Sequence, residues 1–259
     1  MVQKYIDTHP DCGFSFTSTI IATTDGAYQP ALDQALAAGG ADAPDIYAAE
    51  AAFVLKYTQG DAAEYAAPYK DLGIDVLWLM PMYKIGEEER KGSLGSYYAI
   101  SDYTKVNPEF GTMEDFESLL AAAHEAGFKL ILDWVANQTT PDHVWMTGKP
   151  AEFYERDSQG NAIWEYDWTD TRSLNYENTD VWAAQDECMR FWLEKGVDGL
   201  RCDAAGEVPA EFWKGILPKM NKDYPNIYLL AEAERDNLAD ASETFDANYA
   251  WELHHLLNS

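Results

Sequence analysis

Three acidic residues stand where short apolar runs of the sequence end. Asp133 closes the run in "LILDWVANQ", Asp203 closes the run in "GLRCDAA", and Glu232 closes the run in "YLLAEAE". Each run has the length and apolar character of a buried strand, and the carboxyl ends of parallel strands meet at one edge of a sheet, where sites form. We therefore predict that the three carboxylates lie close together.

Arg201 precedes Asp203 by two residues, so strand alternation directs both side chains to one face and Cys202 to the other. In a barrel the pair would point inward near the mouth, and Cys202 would pack against the helices. A carboxylate beside an arginine stays ionised, whereas one without a cation can hold a proton. Asp203 and Glu232 in such different environments suit glycoside hydrolysis. The alternative is a buried ion network with Asp133 that only stabilises the fold.

Strand-like runs alternate with segments of helical periodicity from about residue 72 onward. Strands are predicted in "IDVLWLMP", "FKLILDWV", "VDGLRCDA", "IYLLAEA" and "FDANYA", and helices in "TMEDFESLLAAAHEAG", "DVWAAQDECMRFWLEKG" and "PAEFWKGILPKM". Thr112 is placed to cap the first helix and Gly127 to end it. The last helix starts at a proline, which suits the first helical position. Repeated strand–helix units predict an α/β fold with a parallel sheet, either closed as a barrel or doubly wound.

The periodicity is lost between Thr139 and Asn178. This segment is rich in tryptophan, tyrosine and aspartate and includes "IWEYDWTDTRSLNYEN". A loop of this length inside a compact domain is usually functional. Two interpretations stay open: a small structural subdomain, and a loop that contacts a ligand.

The composition excludes several classes of function. The net charge is -27, from 45 acidic and 18 basic residues, so nucleic acid and anionic membrane are not expected as partners. The three cysteines form no CxxC motif, and neither a disulfide scaffold nor a zinc site is indicated. No apolar stretch reaches membrane-spanning length, and the start has no signal-peptide pattern. The compartment stays open, and a secreted or cell-surface origin is compatible with the sequence.

The ordered motifs "DWVANQ", "GLRCDAA" and "LLAEAE" resemble the sequence regions of the α-amylase superfamily of retaining glycoside hydrolases. The segments "GSYYAISDYTKVNPEFGT" and "FDANYAWELHHLLN" also resemble this family, so the resemblance covers about residues 68–259. It implies a parallel (β/α) barrel of the TIM type. It further implies cleavage of α-1,4-glucans such as starch and maltodextrins by double displacement with retention. An oligo- or polysaccharide is then the expected partner.

The resemblance also implies roles for individual residues. Asp203 would be the nucleophile that forms a covalent glycosyl intermediate, and Glu232 would be the general acid and then the base. Arg201 would hold Asp203 ionised and oriented, for which the bidentate geometry of a guanidinium is suited. Asp133 would be a supporting residue near Arg201. Tyr98 would stack against the sugar in the cleaving subsite.

Two residues follow the strand that carries Asp133: Asn137, which matches the family, and Gln138, which departs from it. Asn137 aligns with a calcium ligand in many members, so calcium is the implied cofactor. Gln138 stands where the family usually has a histidine that bonds the sugar. An amide can donate and accept hydrogen bonds but cannot carry charge, so we expect a weaker contact to the transition state.

A third family carboxylate, an aspartate after the seventh strand, has no counterpart in the sequence. After Glu232 the sequence has room for about one strand and one helix. The alternative to an enzyme is therefore a catalytically weak or inactive fragment that binds α-glucans. An interaction module without any sugar role would leave the ordered motifs unexplained.

Residues 1–67 differ in composition from the rest of the chain, because much of this segment is rich in alanine and has a helical pattern. The segments "KYIDTHPD", "GFSFTSTI", "YQPALDQALAAGG" and "APDIYAAEAAFVLKY" resemble the N-terminal lobe of extracellular sugar-binding proteins of ABC transporters, with an unusual helical extension as the alternative. We thus predict an N-terminal segment, 1–67, fused to a partial catalytic barrel, 68–259, with an excursion at about 139–178. Open sheet edges favour pairing. The barrel is therefore expected to be incomplete, or completed by the N-terminal segment or by a partner chain in a homo-oligomer.

Overall fold

The computed structural model describes residues 74–258, so the predicted N-terminal segment, 1–67, lies outside the described residues. The strands are β1 Val76–Leu79, β2 Tyr83–Ile85, β3 Ile100–Val106, β4 Lys129–Val135, β5 Gln138–Thr139, β6 Arg172–Ser173, β7 Gly199–Asp203, β8 Tyr228–Ala231 and β9 Ala247–Asn248. The α-helices are α1 Met113–Glu125, α2 Val144–Gly148, α3 Thr179–Glu194, α4 Ala210–Asp223 and α5 Trp251–Asn258. Short 3-10 segments cover Ala151–Phe153 and Arg235–Thr244. Among these helices, none has the length and apolar character to cross a bilayer.

The main sheet confirms the predicted α/β fold. Five parallel strands pair in the order β1-β4-β7-β8-β9, which is also their order along the chain. Strands that add in chain order, with helices between them, are the arrangement of a (β/α) barrel. All five strands that the sequence predicts are present in this sheet.

The outer face of the sheet packs against the helices. Leu130, Leu132 and Trp134 alternate along β4 and are fully buried. The indole nitrogen of Trp134 donates to Gln185 Oε1 on α3 at 2.9 Å, which satisfies a polar atom inside this layer. Cys202 of β7 is fully buried in the same core. The prediction that Cys202 faces the helices is therefore confirmed.

The helix ends follow the predicted signals closely. Thr112 and Asp115 form a capping box at the start of α1, with the Thr112 N–H donating to the Asp115 carboxylate at 2.8 Å. Gly127 follows α1 with φ 80°, a left-handed conformation that suits glycine after a helix. Pro209 is the N-cap of α4, so this helix begins one residue later than the predicted start at the proline.

Two antiparallel pairs were missed by sequence reasoning. β2 pairs with β3, and β5 pairs with β6 inside the excursion. β2, β5 and β6 have two or three residues each, which are too few to show a period of two, whereas β3 has seven. The β5–β6 pair places Gln138 opposite Ser173 and so brings the two ends of the excursion together.

Gly199 offers a test of the β7–β8 register, because it lies opposite Tyr228. A Cβ at Gly199 would collide with the backbone carbonyl of Tyr228, which cannot move without breaking the pairing of the strands. We expect Gly199→Ala to lower the free energy of unfolding in urea by about 2–3 kcal/mol. Gly148→Ala is the matched control, since a Cβ there meets no atom within 4 Å. Equal stability of the two variants would contradict this register.

Candidate active site

One guanidinium joins three carboxylates at the carboxyl ends of β4, β7 and β8. Arg201 Nη1 lies 2.8 Å from Asp133 Oδ1 and 2.8 Å from Asp203 Oδ1, and Nη2 lies 2.7 Å from Glu232 Oε1. The strand register explains the cluster, because Asp133 lies opposite Arg201. Glu232 directly follows β8, which pairs with β7. The three acidic residues that the sequence places at strand ends thus do lie together.

The expectation that Glu232 has no cation beside it is wrong. The guanidinium fork of Arg201 has two terminal nitrogens, and the second one contacts Glu232 across the β7–β8 pair. The sequence analysis placed only Asp203 and Asp133 beside Arg201. The other oxygen of Glu232, Oε2, accepts a hydrogen bond from the backbone N–H of Ala204 at 3.0 Å. Both oxygens of the Glu232 carboxylate are therefore engaged.

The turn after β7 is strained. Ala204 has φ 43°, a left-handed conformation that costs a residue with a Cβ about 1–2 kcal/mol. This conformation accompanies the hydrogen bond from its N–H to Glu232, and the Glu207 N–H donates to the Ala204 carbonyl at 2.9 Å. Backbone strain of this kind clusters at functional sites. Its position directly after Asp203 is one more indication that the cluster is a site.

Exposure separates the three carboxylates. The side chain of Asp133 is 0% exposed, that of Asp203 is 14% exposed and that of Glu232 is 26% exposed. Asp133 cannot be reached by a ligand in this arrangement, so it acts on the site only through its neighbours. Asp203 and Glu232 are the two carboxylates that a ligand can touch.

Burial sets the protonation behaviour of the cluster. It raises the pKa of Asp133 to about 6, although Arg201 and Tyr98 lower it. Burial, followed by the charge of Asp133, also raises the pKa of Asp203 above its usual range, with Arg201 opposing. One cation faces three carboxyl groups, so desolvation outweighs its attraction. Arg201 lowers the pKa of Asp203, as expected, but burial and the charge of Asp133 make the net shift of this pKa upward.

Aromatic side chains surround the guanidinium. The Cζ atom of Arg201 lies 4.9 Å from the ring centroid of Trp78 and 5.7 Å from that of Tyr249, distances typical of cation–π contacts. Arg201 Nε also donates to the Tyr249 hydroxyl at 3.4 Å. The half-buried Tyr98 donates from its hydroxyl to Asp133 Oδ2 at 3.2 Å. Tyr98 therefore lies at the cluster, and its stacking against a sugar stays a prediction.

Trp78 and Tyr249 were missed by the sequence analysis. Trp78 belongs to β1 and Tyr249 directly follows β9, and both strands were predicted. The alternation of "IDVLWLMP" and "FDANYA" was a usable signal, because it separates inward from outward positions. Which strands neighbour Arg201 in space could not be deduced from that alternation alone.

Asn137 and Gln138 both lie buried after β4. The amide of Asn137 donates to Glu165 Oε2 at 3.2 Å. Calcium takes about six to eight oxygen ligands, and residues 74–258 contain no group of three or more His, Cys, Asp or Glu side chains that could hold a metal. Calcium at Asn137 therefore stays a prediction, since Asn137 and Glu165 are only two of the ligands that a calcium shell needs. Gln138 Oε1 is buried without a hydrogen-bond partner in this part of the chain.

The family model described as "Alpha amylase, catalytic domain" matches residues 67–172 and 157–253. The chain belongs to the α-amylase family. The crystal structure of an α-amylase from Lactobacillus plantarum superposes with a TM-score of 0.69 at 37% identity, covering 75% of this chain and 49% of that one. A maltogenic α-amylase from Thermotoga neapolitana superposes with a TM-score of 0.69 at 29% identity, covering 83% and 49%. These neighbours confirm the barrel fold class.

Relatives in sequence include proteins of several named activities. Alpha-amylase 3 of Dictyoglomus thermophilum is 31% identical over 191 residues, 63% of this chain and 37% of that protein. An oligo-1,6-glucosidase of Bacillus cereus is 36% identical over 173 residues, 55% and 30%. The human amino acid transporter heavy chain SLC3A1 is 34% identical over 167 residues, 51% and 24%. The chain thus spans half or less of the length of the proteins it matches.

The raised pKa of Asp203 makes a prediction about stability. Between the usual aspartate pKa of about 4 and its raised value, the native state binds the proton better than the unfolded state, so stability falls as pH rises through this window. Asp203→Asn removes this penalty while Asp133 and Glu232 still pair with Arg201. We expect the variant to have a higher free energy of unfolding than the original chain at about pH 8, and a flatter pH dependence from about pH 4 to 8.

Urea unfolding at several pH values measures this effect. Asp236→Asn changes an exposed carboxylate that does not contact Arg201 and serves as the control; it should leave the pH dependence unchanged. A lower stability of Asp203→Asn at pH 8, with the original pH dependence intact, would show that Asp203 is not destabilised by burial.

Proposed function

We propose that this chain is a retaining glycoside hydrolase that cleaves α-1,4-glucans such as starch and maltodextrins. The observation that supports this most is the placement of two ligand-accessible carboxylates, Asp203 and Glu232, on one guanidinium at the carboxyl edge of the sheet. Membership of the α-amylase family and relatives named as amylases and glucosidases support it further.

The first step forms a bond to Asp203. Its carboxylate attacks the anomeric carbon while Glu232 donates a proton to the glycosidic oxygen, and the bond between that carbon and that oxygen breaks. The leaving sugar departs as an alcohol, and the remaining sugar stays attached to Asp203 as an ester. Arg201 fixes the attacking carboxylate, since its Nη1 already contacts Asp203 Oδ1 at 2.8 Å.

The second step releases the sugar. Glu232, now a carboxylate, takes a proton from a water molecule whose oxygen attacks the anomeric carbon, and Asp203 leaves as a carboxylate. Two inversions give net retention. Glu232 ends protonated and ready for the next cycle, so protons balance over the two steps.

This mechanism places a requirement on Glu232. It must be protonated before the first step, yet here it contacts the Arg201 cation and accepts from the Ala204 N–H. A bound sugar must therefore displace Glu232 from Arg201. We assign Tyr98 and Gln138 as further sugar contacts: the ring of Tyr98 lies beside the cluster, and the buried Gln138 Oε1 can accept a sugar hydroxyl once the side chain turns outward.

A second candidate function is glucan binding with little or no turnover. The ion pair between Arg201 and Glu232 favours it, because a paired carboxylate is a poor proton donor. Gln138 in place of the family histidine favours it as well. One relative is named as an amino acid transporter heavy chain and not as an enzyme. Similarity to this family alone therefore does not decide between catalysis and another role.

Sugar release by the full chain distinguishes the two candidates. Reducing ends are measured from starch and from maltooligosaccharides for the original chain, Asp203→Asn and Glu232→Gln, with Asp236→Asn as the control. We expect both site variants to lose at least about a thousandfold in kcat, because each removes a group that reacts in the transition state. If all four proteins release reducing ends only at the background rate, and calorimetry shows that they still bind the glucan, the hydrolase function is contradicted and only glucan binding is left.

The leaving group separates the two roles. α-Glucosyl fluoride needs no protonation to depart, so Glu232→Gln should retain formation of the glycosyl ester with this substrate whereas Asp203→Asn should not. The reverse pattern would show that the two roles are assigned the wrong way round.

A further inference from the structure

Tyr249 differs in kind from the other hydrogen-bond partners of the Arg201 guanidinium. Three carboxylates contact the terminal nitrogens Nη1 and Nη2, whereas the Nε–H donates to the Tyr249 hydroxyl at 3.4 Å. Within residues 74–258, Tyr249 is the one side chain that accepts from this guanidinium without being a carboxylate. Its role in the cluster therefore needs its own explanation.

The backbone of Tyr249 is tied to the strand that carries Glu232. Its N–H lies within hydrogen-bonding distance of the carbonyls of Ala231 at 3.2 Å and Ala233 at 3.1 Å, which flank Glu232 in sequence. β9 ends directly before Tyr249 and pairs with β8 in parallel. Tyr249 thus fixes the chain on both sides of Glu232 through its backbone and reaches the guanidinium through its side chain.

Ring contacts restrict the half-buried Tyr249 side chain. Trp251 meets it edge to face, with ring centroids 5.4 Å apart at an interplanar angle of 81°. The Cζ atom of Arg201 lies 5.7 Å from the centroid of the same ring. A tyrosine has only two side-chain torsions before its ring, so a fixed backbone and a packed ring together fix the position of the hydroxyl.

The guanidinium plane carries two donors side by side on one edge. The Nε–H and one N–H of Nη2 point in the same direction, so one carboxylate can accept from both. Here the Tyr249 hydroxyl accepts from Nε, and Glu232 Oε1 lies 2.7 Å from Nη2. The hydroxyl thereby keeps Glu232 from taking both donors. Glu232 is left with the weaker of the two arrangements that this edge of Arg201 allows.

The strength of this contact matters for the proposed function. Glu232 must leave Arg201 and hold a proton before it can donate one to the glycosidic oxygen, whereas Asp203 must stay on Arg201 as a carboxylate. Asp133 and Asp203 both contact Nη1 and compete with Glu232 for the same cation. A second hydrogen bond from Arg201 would hold Glu232 more firmly as a carboxylate and so oppose its release.

We propose that Tyr249 is a positioning residue whose hydroxyl occupies the Nε–H of Arg201, which keeps Glu232 on a single donor and free to leave when a sugar binds. This inference rests on the proposed function and adds a residue that controls the proton donor without touching the sugar. Asp203 contacts Nη1, away from the edge that the hydroxyl occupies. Loss of the hydroxyl should therefore impair proton donation and spare the nucleophile.

Tyr249→Phe removes the hydroxyl and keeps the ring. In the full chain we expect its kcat for maltoheptaose to fall about 10- to 100-fold, with KM within about 2-fold of the original, because Tyr249 acts through Arg201. Fluoride release from α-glucosyl fluoride in the first turnover needs no proton donor and should change less than about 3-fold. Tyr228→Phe is the matched control, since Tyr228 is exposed at the start of β8, opposite the end that carries Glu232.

The pH dependence adds a readout that a merely structural role would not move. With two donors from Arg201, Glu232 should lose its proton at a lower pH than in the original chain, so the alkaline limb of kcat/KM for maltoheptaose should move to lower pH in Tyr249→Phe. Tyr249→Leu, which also lacks the ring, should show the same movement, because both variants lack the hydroxyl. Tyr228→Phe should keep the limb in place.

The outcomes distinguish this role from the proposed function. Equal losses with maltoheptaose and α-glucosyl fluoride would overturn it, because the site as a whole would then depend on Tyr249. A raised KM at unchanged kcat would overturn it by making Tyr249 a sugar contact. Kinetics and an alkaline limb like those of Tyr228→Phe would overturn it and leave the proposed function standing. Failure of the original chain to cleave either substrate would overturn both.

Discussion

The arrangement depends on one cation that forms ion pairs with three carboxylates. Arg201 holds Asp133, Asp203 and Glu232 at distances of 2.7–2.8 Å, and these residues come from three neighbouring strand ends. A carboxylate as buried as Asp133 is tolerated only when it is paired and hydrogen-bonded. The pairing therefore ties the register of β4, β7 and β8 to the geometry of the site. A shift of one residue in any of these strands would turn its charged side chain toward the helices.

The cluster carries an excess of negative charge, and this excess gives the site its chemistry. Arg201 can balance one of the three charges, so burial raises the pKa of Asp133 and Asp203 despite its presence. Two acidic groups that share a guanidinium and differ in exposure can exchange protons and partners as a ligand enters. In the account proposed here, sugar binding frees Glu232 from Arg201 and leaves Asp203 held. The strained turn at Ala204 keeps the two carboxylates next to each other.

Much of this could be predicted from the sequence. The apolar runs gave five strands, and the alternation of Arg201, Cys202 and Asp203 gave the inward and outward faces. Contacts between strands could not be deduced in the same way, because period-two alternation says which face a side chain takes and not which neighbour it meets. For this reason the sequence analysis missed the contact of Arg201 with Glu232. It also missed the contacts of the Trp78 and Tyr249 rings with the Arg201 guanidinium. The short strands of the excursion were missed because two residues show no period.

The most direct test of the central claim is whether Asp203 forms a covalent bond to the sugar. The full chain is incubated with 5-fluoro-α-glucosyl fluoride, digested and examined by mass spectrometry, with Asp203→Asn as the control. A slow second step should leave one glycosyl unit on the peptide that contains Asp203, and none on the variant. A glycosyl unit on a different residue, or turnover of the reagent with no labelled peptide, would contradict the account.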